Sequence, residues 1–310
     1  MIRFVLAAAL AVVPNTIDPN LFTVTGWEHD RVNQREHIVD GKSWNGKAYG
    51  AGVNVYVVDS GVYDSGMFIG GVEQGYTAFT DGKTACGTYH GSMIASIIAG
   101  RNLGLAQQTK IISVRVMNCA GKGNPKNIIA GLDWIMANAD PATSIVNMSV
   151  GGPKTPSLDE KVNELVDAGF PVVVAAGNDG RNACNYSPSR ADNALTVGAS
   201  TRLDLRYINS NTGPCVSLYA PGENLTVYHP TKGQVRQSGT SGAAAFVSGA
   251  IAATASMYGL ETYDAMVVLF FGTTSGAICC GYRTTTSDLL YLNTDLYDVG
   301  DGEWWADWWD

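Results

Sequence analysis

From residue 50 onward, short β-branched apolar runs alternate with stretches of helical spacing. The runs over 52–59, 111–117, 144–150, 172–176 and 195–199 are apolar almost throughout and closed by turn residues, which reads as strands buried on both faces. Between them the spacing predicts helices over 90–99, 126–138, 157–168 and 241–258. Strand and helix in alternation predict an α/β fold of three layers, a mostly parallel central sheet with helices on both faces and right-handed crossovers. Ligands bind such sheets outside the carboxyl ends of the strands. Asp59 closes one predicted strand and Asn178 follows another, so topology alone brings both to that edge. No linker or internal repeat interrupts 27–292, which reads as one domain.

Composition narrows the class. With 45% hydrophobic and 15% charged residues, 310 residues bury a large core. Glycine is in excess, 36 residues where average usage gives roughly 22, which points to many tight turns and close backbone approaches. A net charge of −8 offers no basic stripe to neutralise phosphates, so nucleic acid is not an expected partner. Six cysteines without a C-x-x-C pair near paired histidines fit structural disulfides in an exported protein better than a zinc site. Met1-Ile2-Arg3, the apolar run 4–13 and Ala9-Leu10-Ala11 have the order of a signal peptide over 1–13; the competing reading is an N-terminal strand. An extracellular location follows from the first reading. No other stretch reaches the ~20 apolar residues of a membrane span.

Four segments carry candidate chemistry: Val57-Val58-Asp59-Ser60-Gly61, His90-Gly91-Ser92-Met93, Ala175-Ala176-Gly177-Asn178 and Gly239-Thr240-Ser241-Gly242. Taken singly, Asp59 is a strand-end turn residue, His90 and Ser241 are helix caps, and Asn178 is an Asx-turn. Taken together, Asp, His and Ser follow one another in one of the three known orders of a catalytic triad. These blocks, with 114–117, 129–134, 147–152 and 183–188, resemble the signature segments of subtilisin-like serine proteases (subtilases, peptidase family S8), in the proteinase K and aqualysin-like branch. The resemblance covers 27–292. It divides the chain into a catalytic domain over 24–293 and an acidic, tryptophan-rich tail over 294–310.

The resemblance implies a serine endopeptidase that acts on polypeptides as a monomer. Ser241 is then the nucleophile, His90 the base, Asp59 its orienting partner and Asn178 the oxyanion donor. Ser149, Val150, Gly151, Gly121 and Gly123 would flank an extended peptide, and Gly151, Ala175, Ala176 and Gly177 would line the pocket before the scissile bond. Small residues there imply broad preference for apolar or aromatic side chains. The same resemblance pairs Cys86 with Cys119 and Cys184 with Cys215, and leaves Cys279 and Cys280 without counterparts.

Several positions depart from the family pattern. Met93 replaces a histidine, Gly242 a methionine, Ala245 a proline, and Pro125 stands where relatives place an aromatic lid. The chemistry needs no cofactor. A structural calcium site would rest on Asp192 and the Ala194 carbonyl, with Ser217 replacing an aspartate ligand. Relatives are made with a pro-segment that assists folding; this chain is expected either to fold without one or to belong to a longer product. The rival reading is a catalytically silent subtilase fold that binds peptides. An α/β-hydrolase esterase fails on motif, because Ser241 lies in G-T-S-G and the triad order is wrong. Trp304, Trp305, Trp308 and Trp309, interleaved with acids, match no helical stripe and read as a frayed tail or a docking segment.

Overall fold

The computed structural model describes residues 26–36, 44, 50–278 and 286–292. The signal segment expected over 1–13, Cys279, Cys280 and the tail over 294–310 lie outside the described residues. In chain order the elements are α1 (Trp27–Val32), β1 (Asn54–Asp59), β2 (Val72–Thr77), α2 (His90–Ala99), β3 (Lys110–Arg115), α3 (Pro125–Asn138) and β4 (Ser144–Met148). There follow β5 (Gly152–Pro153), α4 (Pro156–Asp167), β6 (Val172–Ala175), β7 (Tyr186–Ser187), β8 (Leu195–Ser200) and β9 (Leu218–Pro221). A hairpin of β10 (Leu225–His229) and β11 (Gly233–Gln237) leads to α5 (Thr240–Tyr258) and α6 (Thr262–Phe271).

Seven strands form one parallel sheet in the order β2-β3-β1-β4-β6-β8-β9. Alternation within the valine-rich strands divides the core in two. Val55, Val57, Ile145, Val173 and Val197 face α2, α5 and α6, whereas Tyr56, Val58, Val146, Met148 and Val174 face α3 and α4. Both faces are covered, which is why these strands read as unbroken apolar runs. Strands expected to continue to 117 and 150 end at Arg115 and Met148, because there the chain leaves the ladder to build the loops of the site. Among the described residues no single helix is long and apolar enough to cross a membrane. The long helix α5 is apolar all round because it lies inside, with Ala243, Ala250 and Ile251 fully buried.

The helix α1 reverses the usual rule for charge. Glu28, His29, Asp30 and Arg31 are all buried. The Arg31 guanidinium donates to both oxygens of Asp204 at 2.8 to 3.0 Å, bidentate pairing that a planar fork suits. His29 donates from Nε2 to the Leu103 carbonyl at 3.0 Å, and burial pushes its pKa down to about 3, so the ring stays neutral. Two disulfides, Cys86–Cys119 and Cys184–Cys215, are formed as the resemblance implied.

Because Arg31 and Asp204 are 1% and 5% exposed, removing one partner strands a buried charge. Asp204→Ala is expected to lower unfolding free energy by about 3 to 5 kcal/mol, read from the shift in a urea transition. A change below about 1 kcal/mol would mean that the pair behaves as a solvated surface bridge.

Candidate active site

The site begins where β1 ends. Asp59 is fully buried, and its Oδ1 accepts from the Ser60 amide at 2.6 Å. The first turn of α2 is fastened to the same strand end, since the Gly91 amide donates to Ser60 Oγ at 3.0 Å. This brings His90 Nδ1 to 2.8 and 3.0 Å from the two carboxylate oxygens of Asp59. With the Nδ1 proton held by the carboxylate, Nε2 is left as an acceptor. Burial alone would push the His90 pKa down. The charge of Asp59 and its hydrogen bond outweigh burial and raise it above 6.5.

Tyr89, directly before His90, has φ +49°, a left-handed conformation uncommon for a bulky residue. Its amide donates to the Cys86 carbonyl at 2.7 Å, and its carbonyl accepts from Met93 at 3.0 Å. Its ring meets Tyr63 and His229 edge-on, with centroids 6.3 and 5.1 Å away. No sequence pattern marked this residue; the signal was a tyrosine where the chain must turn sharply into a helix.

Ser241 opens α5, where the partial positive charge of the helix N-terminus lies. Its hydroxyl donates to the Ser149 carbonyl at 3.4 Å, and Ser149 Oγ donates back to the Ser241 carbonyl at 2.9 Å. Behind them Asn147 donates to Ser149 Oγ at 3.1 Å and accepts from Ser248 Oγ at 3.0 Å. These buried polar groups satisfy one another and tie α5 to β4. Ser149, expected as a substrate-binding residue, has its side chain committed to the backbone of Ser241.

Asn178 follows β6. Its Oδ1 accepts from the Thr240 amide at 2.8 Å and the Thr240 hydroxyl at 3.2 Å. Those contacts fix which way the amide points and leave its N–H bonds for the cleft that Asn178 lines. The cleft has a volume of about 560 Å³. Ser149, Val150 and Gly151 line it, as do Ala175, Ala176, Gly177 and Ser241. Lys154, Asp179 and Arg181 add charge to the lining. Gly121 and Gly123 are not brought into this lining. They sit in the loop after β3, closed by a bridge between Met117 and Gly123, with Gly121 beside Thr88.

At Gly242 a Cβ would lie 2.6 Å from Leu225 Cδ1 of β10, so a larger residue there would require the tip of that side chain to shift.

The calcium reading does not fit its residues. Ser217 Oγ accepts from the Thr196 amide at 3.0 Å, and Asp192 is an exposed carboxylate. One carboxylate and one carbonyl are too few oxygens for a hard cation. Asp81, Cys86 and Cys119 also lie close together, but the two sulfurs are bonded to each other and offer no thiolate.

Most of the chain is similar to known proteins. Residues 50–267 match the family model described as Subtilase family. The chain is similar to the extracellular serine proteinase of Thermus sp. (strain Rt41A), 42% identical over 273 residues, covering 86% of this chain and 65% of that protein. Alkaline serine exoprotease A of Vibrio alginolyticus is 34% identical over 271 residues, covering 87% of this chain and 50% of that protein. The crystal structure of a cold adapted subtilisin-like serine proteinase superposes with a TM-score of 0.80 at 35% identity, over 87% of this chain and 99% of that one. The chain therefore spans between half and two thirds of the length of these curated relatives. With a family model covering most of the sheet, all four candidate segments and the greater part of the sequence, this chain belongs to the subtilase family.

Proposed function

We propose that this chain is a secreted serine endopeptidase that cleaves polypeptides through an acyl-enzyme. Two observations carry the reading: the buried Asp59 carboxylate holds His90 Nδ1 at 2.8 and 3.0 Å, and one cleft is lined by both Ser241 and Asn178. A serine hydroxyl is a weak nucleophile, so His90 Nε2 takes its proton as Oγ attacks the scissile carbonyl. The hydroxyl, resting on the Ser149 carbonyl at a long 3.4 Å, turns to the imidazole once substrate fills the site. Asp59 holds the tautomer and stabilises the imidazolium without taking the proton itself. The oxyanion of the tetrahedral intermediate is met by the Asn178 N–H bonds and the Ser241 amide at the start of α5. His90 then protonates the leaving amine. Water repeats the sequence on the acyl-enzyme and frees Ser241.

The extended substrate pairs with the backbone at Val150-Gly151 and Gly121–Gly123. Val150, Ala175 and Ala176 give the cleft small apolar walls, which support a preference for apolar or aromatic residues before the scissile bond. The disulfides and the extracellular relative support secretion.

Ser241→Ala is expected to abolish turnover of a casein-type substrate and labelling by a fluorophosphonate, with the thermal transition unchanged. Hydrolysis within tenfold of wild type would overturn the mechanism.

For Asn178→Ala the expected loss is roughly 100- to 1000-fold in kcat with little change in KM, because that bond strengthens only in the transition state. The size of the loss is the one known for an oxyanion asparagine in a subtilisin, a relative of this chain, and is carried over rather than calculated from this site. An effect confined to KM would make Asn178 a ground-state binding group.

The pH profile follows from His90. Only neutral imidazole accepts the serine proton, and Asp59 raises the His90 pKa, so kcat/KM is expected to rise with pH through a limb whose midpoint lies above 6.5. A limb centred well below 6.5 would contradict the assignment.

A further inference from the structure

We infer that Asn211 is the positioning residue that sets the oxyanion donor, by clamping the loop that carries Asn178 from both sides. The inference rests on the role of Asn178 proposed above.

Asn211 is fully buried and far from Asn178 in sequence. Its Nδ2 donates to the Ala176 carbonyl at 2.9 Å. Its Oδ1 accepts from the Asp179 amide at 3.1 Å and the Arg181 amide at 2.9 Å. Its backbone amide donates to the Gly177 carbonyl at 2.9 Å. These four bonds reach residues on each side of Asn178 and leave the side chain of Asn178 untouched. The turn requires one side chain that donates once and accepts twice, at one length. Asparagine supplies that; aspartate lacks the donor and alanine lacks everything.

Gly177 shows how closely the clamp is fitted. Its φ is +99°, and a Cβ there would lie 2.4 Å from Asn211 Nδ2. The Asn211 amide thus occupies the space of the missing side chain. On the other side, the Gly177 amide donates to Thr240 Oγ1 at 3.1 Å, and Thr240 also holds Asn178 Oδ1. The loop is gripped between the start of α5 and Asn211. An oxyanion donor works only if it is aimed before charge develops, and small misplacements are costly in rate.

A buried asparagine that merely closes a loop would affect stability and nothing else in particular. A double-mutant cycle with Asn178 separates the two roles. Asn211→Asp is expected to lower kcat on a peptide substrate by roughly 10- to 100-fold with KM changed by less than about threefold. Asn211→Ala should lower it at least as far. In an Asn178→Ala background the same substitutions should lower kcat by less than about threefold, because no amide is left to misplace. Equal losses in both backgrounds, or an Asn211→Asp enzyme with wild-type kcat, overturn the inference. If neither variant unfolds cooperatively, Asn211 is a folding residue and the inference is likewise overturned. A wild-type protein that neither hydrolyses peptide nor is labelled at Ser241 brings down the proposed function instead, so the two failures are distinguishable.

Discussion

The burial of α5 is the constraint on which the rest of the molecule depends. Fifteen of its nineteen residues are buried, so the helix has no solvent face and packs against the sheet, α2 and α6. Alanines along it let the sheet approach closely, and Gly249 lets α2 do the same, with Leu105 and the Ile98 carbonyl against it. Apolar packing sets the depth of such a helix but resists sliding weakly. The register comes from polar groups: Ser248 on Asn147, the reciprocal bonds of Ser149 and Ser241, and Thr240 on Asn178. Every one of them joins α5 to the carboxyl end of β4 or β6. Ser241, the proposed nucleophile, is therefore held in place by the same contacts that complete the core.

The electrostatics follow the same logic. Asp59 sits fully buried yet accepts from His90 and Ser60, and Arg31 finds Asp204. A buried charge is tolerated where its hydrogen bonds are made, and these pairs fix geometry as much as they add stability. His29 shows the other solution. Lacking a carboxylate at bonding distance, it discards its charge and keeps one neutral bond to Leu103.

The central strands and the four helices beside them were legible because burial on both faces leaves a long, unmixed signal. The edges were not. In β2 the residues Glu73 and Gln74 are exposed, the register shifts between Gln74 and Tyr76, and no alternation survives. The strand β9 is four residues long and ends in Pro221, as edge strands often do. The helix α1 was not predicted, because its run of charged residues gives no apolar signal and its partner Asp204 lies far along the chain. At the site, Asp59, His90, Asn178 and Ser241 stood out because each lies in a compact local motif. Asn211 and Tyr89 did not, since what distinguishes them is a contact across the chain and a backbone angle. Gly242 stood out in the sequence only as a departure from the family pattern, and its neighbour Leu225 came into view only with the hairpin.

The outer edge of the sheet carries a last consequence. The Tyr219 amide on β9 donates to the Asp288 carbonyl, the Leu290 amide donates to the Tyr219 carbonyl, and the Leu292 amide donates to the Val32 carbonyl at the end of α1. Segments from opposite ends of the sequence are thus stitched together over what would otherwise be an open strand. Fraying usually starts at loose ends and bare edges. Here the edge strand is covered by segments far apart in the chain, so baring it takes a larger opening of the molecule than the release of a few residues.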